Sequence, residues 1–415
     1  MKLMRLYALA GAALVCGSMH AATVTKLSDS SLAPLRGSVL TRKITLTNLP
    51  IFVDRAAVIE LEEFQVWGPD ARVIIHGDKG VVLDRLAPPP MRFFRGLVNG
   101  DSDSFAYFST DPSGKNIQGL IVVKDKKFGV ATMRRPTQKV TPVKTPTGEP
   151  EGTDAFLTEF DDLDSLNQSG QLWHCDVEKM PVQAASVHLH ATGANGLPVT
   201  ANAITGTQSY AVNIEVETDN ELYVNAGSNA AALTTYVTNL TGAVSTIYNR
   251  DLHTNVTQRN LHIYTTVPDP WAATDSLSGL DELGTFYHNT YGRPLGSGVI
   301  LLSGKNIPAG IAWEGVICGP EFANLPNWGG PYAWAGMIGN GGLGSIPDPT
   351  TVQNGTLYGM PTGIQNYWPL DEYAHEFGHV MGGHHTHCVA VTDAERIATG
   401  FTDPSRLLKK GLVSY

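Results

Sequence analysis

A histidine-rich segment near the end of the chain constrains its fold and chemistry more than any other feature. Residues 375–388 read His-Glu-Phe-Gly-His-Val-Met-Gly-Gly-His-His-Thr-His-Cys. Because His375 and His379 are four positions apart, a helix would carry both imidazoles on one face, about one turn apart. Two imidazoles in that arrangement can hold one zinc ion. Glu376 stands between them, where a carboxylate can take a proton from a metal-bound water.

The residues after this predicted helix indicate how a third ligand would reach the metal. Gly382 comes three residues past His379, and glycine readily adopts the left-handed conformation that ends a helix and reverses the chain. The spacing of three residues from Gly382 to His385 favours His385 as the third ligand, although His384 or His387 could take its place. Three imidazoles leave one coordination position open for water and substrate, which is typical of a catalytic zinc site.

The same residues resemble the extended zinc signature of the metzincin metalloproteases, which is formed here by His375, Glu376, His379, Gly382 and His385. The ending at 385–388 resembles the bacterial reprolysin-like branch, which is related to the adamalysins. The resemblance covers about residues 210–388. It implies an α/β (α+β) catalytic domain with a mixed sheet and an active-site helix. It also implies one catalytic Zn2+ ion and hydrolysis of peptide bonds in a protein or peptide substrate.

Other segments resemble the same branch. Residues 311–319 resemble its strand with a cysteine, and the resemblance implies a disulfide between Cys318 and Cys388. Residues 332–339 resemble its cleft-rim strand, along which a peptide would be held by main-chain hydrogen bonds. The expected substrate rim consists of Trp334, Ala335, Gly336 and Met337.

Two departures from the family pattern bear on activity. Thr386 stands where adamalysins usually carry Asp, and no methionine follows Met381 to form the Met-turn beneath the zinc ion. Val413 lies at the corresponding position, so the sequence predicts a truncated copy or a degenerate turn. We expect a zinc endopeptidase. The alternatives are a secreted non-catalytic binding or adhesion protein that retains the fold, and a non-proteolytic zinc hydrolase.

The first residues predict export. Lys2 and Arg5 precede an apolar run over 6–15, and small residues follow, as in a cleaved secretory signal over 1–22. The run is shorter than the ~20 apolar residues that a membrane span needs. We therefore expect a secreted protein without a membrane anchor, which passes through the periplasm if the source is Gram-negative. A formal charge of −10, from 29 Lys and Arg against 39 Asp and Glu, disfavours nucleic-acid binding.

The remaining chain divides into two regions. Short apolar runs broken by turn signals predict a mostly β, propeptide-like front half over 23–204, with a proline-rich linker at 135–153. Over 205–415, the catalytic region, strand and helix periodicities alternate as in a layered α/β sheet.

Local patterns in the catalytic region predict individual elements. A strand with one polar face is expected where apolar residues alternate with Glu215 and Glu217. An amphipathic helix is expected over 233–247, and a second helix is expected over 278–289 with Ser278 and Asp281 as a capping pair.

Cys175 in the front half suggests how the enzyme would be kept inactive. If Cys318 and Cys388 are joined, Cys175 has no partner among the cysteines that remain after signal cleavage. A thiolate binds zinc strongly and would occupy the position that water needs. Metzincin prosegments are known to use such a cysteine switch, and residues 94–96 resemble prosegments of this branch. The front half is therefore expected to inhibit as a prosegment, the alternative being a buried apolar cysteine or an intermolecular bridge.

Overall fold

The computed structural model describes most of the two regions and not their connection. It describes residues 24–36, 42–52, 55–124, 126–134, 153–160, 174–175, 209–338, 352–353, 356–357 and 368–383. The predicted signal over 1–22 and most of the predicted linker over 135–153 lie outside these residues.

The front half is rich in strands, as its short apolar runs predict. Its described elements are β1 (Val24–Lys26), α1 (Asp29–Arg36), β2 (Lys43–Leu49), β3 (Ala57–Phe64), β4 (Trp67–His76), β5 (Val82–Leu86), β6 (Arg92–Val98), β7 (Phe105–Thr110), β8 (Ile117–Val123), β9 (Lys126–Arg134), β10 (Thr153–Phe160) and β11 (His174–Cys175). Eight of these strands form a sheet in the order β1-β10-β9-β8-β7-β6-β3-β2, in which every neighbour is antiparallel. We call it the front sheet.

The catalytic region alternates strands and helices. Its described elements are β12 (Tyr210–Thr218), α2 (Asn220–Asn225), α3 (Ala230–Leu252), β13 (Thr254–Tyr264), α4 (Ser276–Tyr291), β14 (Gly298–Leu302), β15 (Ala309–Ala312), β16 (Phe322–Asn324), β17 (Asn327–Gly329), β18 (Tyr332–Ala335), β19 (Val352–Gln353), β20 (Thr356–Leu357) and α5 (Trp368–Val380). A second sheet of eight strands has the order β11-β15-β18-β14-β12-β13-β4-β5 and contains parallel and antiparallel pairs. The predicted α/β class with a mixed sheet is therefore observed.

The mixed sheet takes strands from both halves of the sequence. β4 pairs with β13 in parallel, and β5 follows it at one end of the sheet. β11 pairs with β15 in parallel at the other end. The predicted division near residue 205 therefore does not coincide with a division between the two sheets, since the front half completes the sheet of the catalytic region on both sides.

Two details of the catalytic region lie beyond what the local patterns predict. β12 is the expected strand with one polar face, but the side chains of Glu215 and Glu217 are fully buried, and the hydroxyl of Tyr287 on α4 donates a 2.7 Å hydrogen bond to Glu217 Oε1. Helix α4 includes the expected span 278–289, but it begins at Ser276, because Asp275 is its N-cap and accepts from the backbone N–H of Ser278 at 2.9 Å.

The other helix prediction agrees with the structure. α3 includes the expected span 233–247, and its apolar residues enter a core shared with the mixed sheet. Among the described residues, no helix combines the length and apolar character that crossing a membrane requires.

Candidate metal centre

Helix α5 is held against the mixed sheet and α3 by apolar packing and by three polar contacts. The side chains that pack are Leu370, Tyr373, Ala374, Phe377 and Val380. Glu372 Oε1 accepts a 2.7 Å hydrogen bond from the backbone N–H of Gly336, just after β18. From α3, the Tyr248 hydroxyl donates to the carbonyl of Ala374, and the hydroxyls of Thr241 and Tyr373 lie 3.3 Å apart. The helix that carries the histidine motif is therefore fixed from two sides.

The two histidines of α5 converge, as their spacing predicts. His375 Nε2 and His379 Nε2 lie 3.0 Å apart, and the ring planes meet at 87°. His379 is 1% exposed, whereas His375 is half-buried. Two imidazole nitrogens therefore point at one small volume, which is the arrangement that a single metal ion requires.

The chain after α5 fixes the orientation of His379. The helix ends at Val380, and Gly382 has a φ of +99°, in the left-handed region. The turn brings the carbonyl of Gly383 to 2.7 Å from His379 Nδ1, which donates to it. Glu314 Oε1 lies 3.6 Å from the same nitrogen. Because Nδ1 carries the proton, the lone pair of Nε2 faces the metal position.

Cys175 completes a group of three ligand atoms. Its Sγ lies 3.5 Å from His379 Nε2, and the ligand atoms of Cys175, His375 and His379 all lie within 4.8 Å of one another. At the usual bond lengths, tetrahedral zinc separates two nitrogens by about 3.3 Å, and a nitrogen from a sulfur by about 3.5 Å. The two separations here, 3.0 and 3.5 Å, therefore fit a zinc ion bound by both histidines and the thiolate.

Glu376 lies beside this group and is fully buried. Its Oε2 is 3.9 Å from Cys175 Sγ. Gly310 on β15 makes room for it: a Cβ at that position would lie 2.4 Å from Glu376 Oε1. Gly310 is not among the predicted site residues, although a glycine inside an apolar strand is a signal of close backbone approach. Glu314 is not among them either, and the sequence carries no such signal for it.

The residues predicted to form the substrate rim do not lie on an edge strand of the mixed sheet. Trp334 and Ala335 belong to β18, which is an interior strand between β14 and β15. Gly336 donates to Ala309 O and Glu372 Oε1, and the backbone N–H of Met337 donates to the carbonyl of Lys305. The main-chain groups of these residues therefore already form hydrogen bonds within the fold. Among the described strands of the catalytic region, β15 is the outermost strand of the mixed sheet on the side of the metal group. β11 of the front half pairs with the outer edge of β15.

Several residues near the predicted metal site remain untested. His385, the expected third histidine ligand, and Cys388 lie outside the described residues, as do His384 and His387. Cys318 is exposed and forms no disulfide with a described residue, so its pairing with Cys388 stays a prediction.

Comparison with known proteins agrees with this geometry. Residues 208–405 match a family model described as Metallo-peptidase family M12 (Reprolysin_5). The match begins just before β12 and runs past the histidine motif. No curated protein matches the chain.

Proposed function

Because residues 208–405 belong to metallo-peptidase family M12, we propose that the protein is the precursor of a secreted zinc endopeptidase. The observation that carries the proposal is the convergence of His375 Nε2 and His379 Nε2 beside a fully buried Glu376. The predicted third ligand is His385. When zinc is bound, its charge lowers the pKa of a bound water and polarises the carbonyl of the peptide bond.

Glu376 is suited to carry the proton in this reaction. Its carboxylate lies beside the metal group and can accept a proton from the attacking water and then give it to the leaving amine. Burial away from bulk solvent limits exchange of that proton. Gly310 keeps β15 close enough to shield the carboxylate, because any side chain there would collide with Glu376.

The front half is proposed to act as an inhibitor through Cys175. Its sulfur reaches His379 from β11, and β11 pairs with β15 through only two residue pairs, His174 with Ala309 and Cys175 with Gly310. A peptide substrate that pairs with β15 would compete for the same main-chain groups. The thiolate and the strand therefore block the metal position and the substrate edge together.

The function is tested by hydrolysis of casein and of quenched fluorescent peptides. The assay uses the Cys175→Ala chain and protein cut by limited proteolysis. Glu376→Gln should lower kcat by about 10²- to 10⁴-fold while zinc content and thermal unfolding stay unchanged. Chelator treatment should abolish hydrolysis, and added zinc should restore it.

A matched pair of histidine variants tests the metal site itself. His375→Ala should lower the zinc content of the purified protein. His253→Asn replaces an exposed residue in the left-handed conformation, which asparagine tolerates, and should retain zinc. Hydrolysis that survives both Glu376→Gln and chelation would contradict the proposal. A zinc-loaded protein that hydrolyses no peptide would favour the non-catalytic binding protein.

A further inference from the structure

The contacts of the front half with the catalytic region extend far beyond the metal group. We propose that the front half is a permanent subunit: when the chain is cut between Cys175 and β12, residues 24–160 stay bound to the catalytic region without a covalent link. The proposal goes beyond the proposed function, because it concerns an interaction surface rather than hydrolysis.

Strand pairing provides the first contact. β4 pairs with β13 in parallel, in a register that runs from Trp67 opposite Gln258 to His76 opposite Tyr264. Near the ends of this pairing, the backbone N–H of Gln258 donates to the carbonyl of Val66 at 2.7 Å, and that of Thr265 donates to His76 O at 2.9 Å. Removal of β4 would expose the main-chain donors and acceptors of β13 along this length.

A shared hydrophobic core provides the second contact. One cluster of buried side chains contains residues of the front half together with residues of the mixed sheet and α3. Its members from the front half are Phe64, Val66, Val73, Phe93, Phe105, Tyr107, Leu120 and Val122. Four of these eight are aromatic, and separation would transfer them and the side chains beneath them to water.

Helix α3 provides the third contact. Its polar side is covered by the front sheet: the Tyr107 hydroxyl donates a 2.9 Å hydrogen bond to Asn239 Oδ1, and Asn239 Nδ2 donates to Gln118 Oε1 at 2.9 Å. Gly242 admits the ring of Tyr107, since a Cβ there would lie 2.7 Å from the hydroxyl oxygen. The residues of α3 from Val237 to Tyr248 are consequently all buried.

Buried imidazoles add a specific polar contact at the β4–β13 junction. His76 Nε2 lies 3.0 Å from His262 Nδ1, and the two rings are stacked with centroids 5.2 Å apart. His262 in turn faces Glu215 Oε2 at 3.4 Å and Glu217 Oε1 at 3.7 Å. A polar group of the front half is therefore matched to a polar cluster of the catalytic region.

Activation, by contrast, needs only β11 to move. β11 contributes two residue pairs, whereas the contacts described above involve the β4–β13 pairing, a shared core and helix α3. Displacing Cys175 does not disturb any of them. The structure therefore separates the inhibitory contact from the contacts that hold the front half in place.

The test uses the full chain with a site-specific protease sequence inserted between residues 195 and 196. Glu376→Gln prevents self-digestion, and Cys175→Ala removes any link through the metal. After complete cleavage, gel filtration in native buffer at about 1 μM protein should give one peak that contains both fragments, since a Kd well below that concentration is expected. Two separate peaks would overturn the proposal. Because the readout is elution, it does not depend on peptidase activity.

A variant at the interface gives a second readout. Gly242→Leu should drive a side chain into Tyr107 and raise the Kd of the cleaved fragments by about tenfold or more. Ala231→Leu makes the same change on an exposed position of α3 and should leave the Kd unchanged. Equal behaviour of the two variants would show that the α3 contact does not retain the front half, which also contradicts the proposal.

Discussion

The two ends of the mixed sheet are both occupied by strands of the front half, but the two attachments differ in kind. At one end, β4 pairs along β13 and enters a common core. At the other, β11 meets β15 through two residue pairs and places one thiol beside two histidines. The first attachment has the extent of a structural contact, whereas the second is small and lies at the candidate metal group. Under our two proposals, β4 and the shared core hold the front half in place, and only β11 is displaced on activation.

The largest expected effect on the attachment of the front half comes from Tyr107 on β7, which contacts α3 and is 3% exposed. Tyr107→Ala should lower the free energy of unfolding by about 3–5 kcal/mol, because it removes a buried aromatic ring and leaves a cavity. Tyr107→Phe should cost only about 1 kcal/mol, since it loses the hydrogen bond to Asn239 and keeps the ring. Urea unfolding followed by circular dichroism measures both. Equal losses would show that the ring does not join the two regions.

The second effect is a pH dependence at His76. The pKa of His76 is lowered from 6.5 to about 4, mainly by burial; the hydrogen bond to Gly80 O opposes this shift, and the charges of His262 and Arg85 add to it. The folded state therefore keeps His76 neutral, and unfolding takes up a proton below pH 6.5. The contribution of His76 to the free energy of unfolding is fully present above that pH, and it falls by up to about 3 kcal/mol as the pH drops toward 4.

His76→Gln isolates this dependence from the other groups at the junction. His262, whose pKa is raised by its carboxylate partners, and Glu217, whose pKa is raised by burial, remain in the variant. Denaturant unfolding at pH 7 and pH 4.5 should show a smaller difference for His76→Gln than for the unaltered chain. The same difference in both proteins would contradict the assignment to His76.

Thr265 gives a smaller effect at the same junction. Its hydroxyl donates a 2.8 Å hydrogen bond to the carbonyl of His76, so Thr265→Val should cost about 1 kcal/mol of unfolding free energy. The neighbouring Thr266 hydroxyl makes no hydrogen bond within the described part of the chain, and Thr266→Val should be neutral or stabilising. Thermal unfolding compares the pair directly, and a larger loss in Thr266→Val would reverse the interpretation.

The smallest effect on stability is expected at β11. Cys175→Ala should change the free energy of unfolding by less than about 0.5 kcal/mol, because β11 has two residue pairs and no place in either core cluster. Peptide hydrolysis by the uncut chain should nevertheless rise. Cys318→Ala, which alters an exposed thiol, is the control and should leave hydrolysis unchanged. A large loss of stability in Cys175→Ala would support the alternative of a structural buried cysteine.

Much of the candidate site could be predicted because it is local in sequence. His375, Glu376 and His379 lie on one helix, so helical geometry alone brings the two imidazoles together. The left-handed Gly382 after the helix follows from the same local reasoning. The position of the expected rim residues in the sheet could not be predicted, because strand order is not a local property. Residues 332–335 form an apolar strand, but the neighbouring strands determine whether it is interior or at an edge.

The burial of Glu215 and Glu217 could not be predicted for a related reason. Alternation along β12 correctly predicts a strand with one polar face, but it does not show what covers that face. Tyr287 of α4 and His262 of β13 cover that face, and they lie 70 and 45 residues away from Glu217 in the sequence. A carboxylate whose partners come from distant elements gives no periodic signal of its burial.

The sequence by itself determined the chemistry that this protein can carry, since ligand identity and helical spacing need no tertiary information. It also determined the α/β character of the catalytic region, because period-2 and period-3.6 patterns are written in consecutive residues. Only the tertiary structure decided that strands of the front half complete both ends of the mixed sheet and that Cys175 meets His379, 204 residues away. Such contacts depend on strand order and on the packing of whole layers, and no short stretch of sequence encodes either.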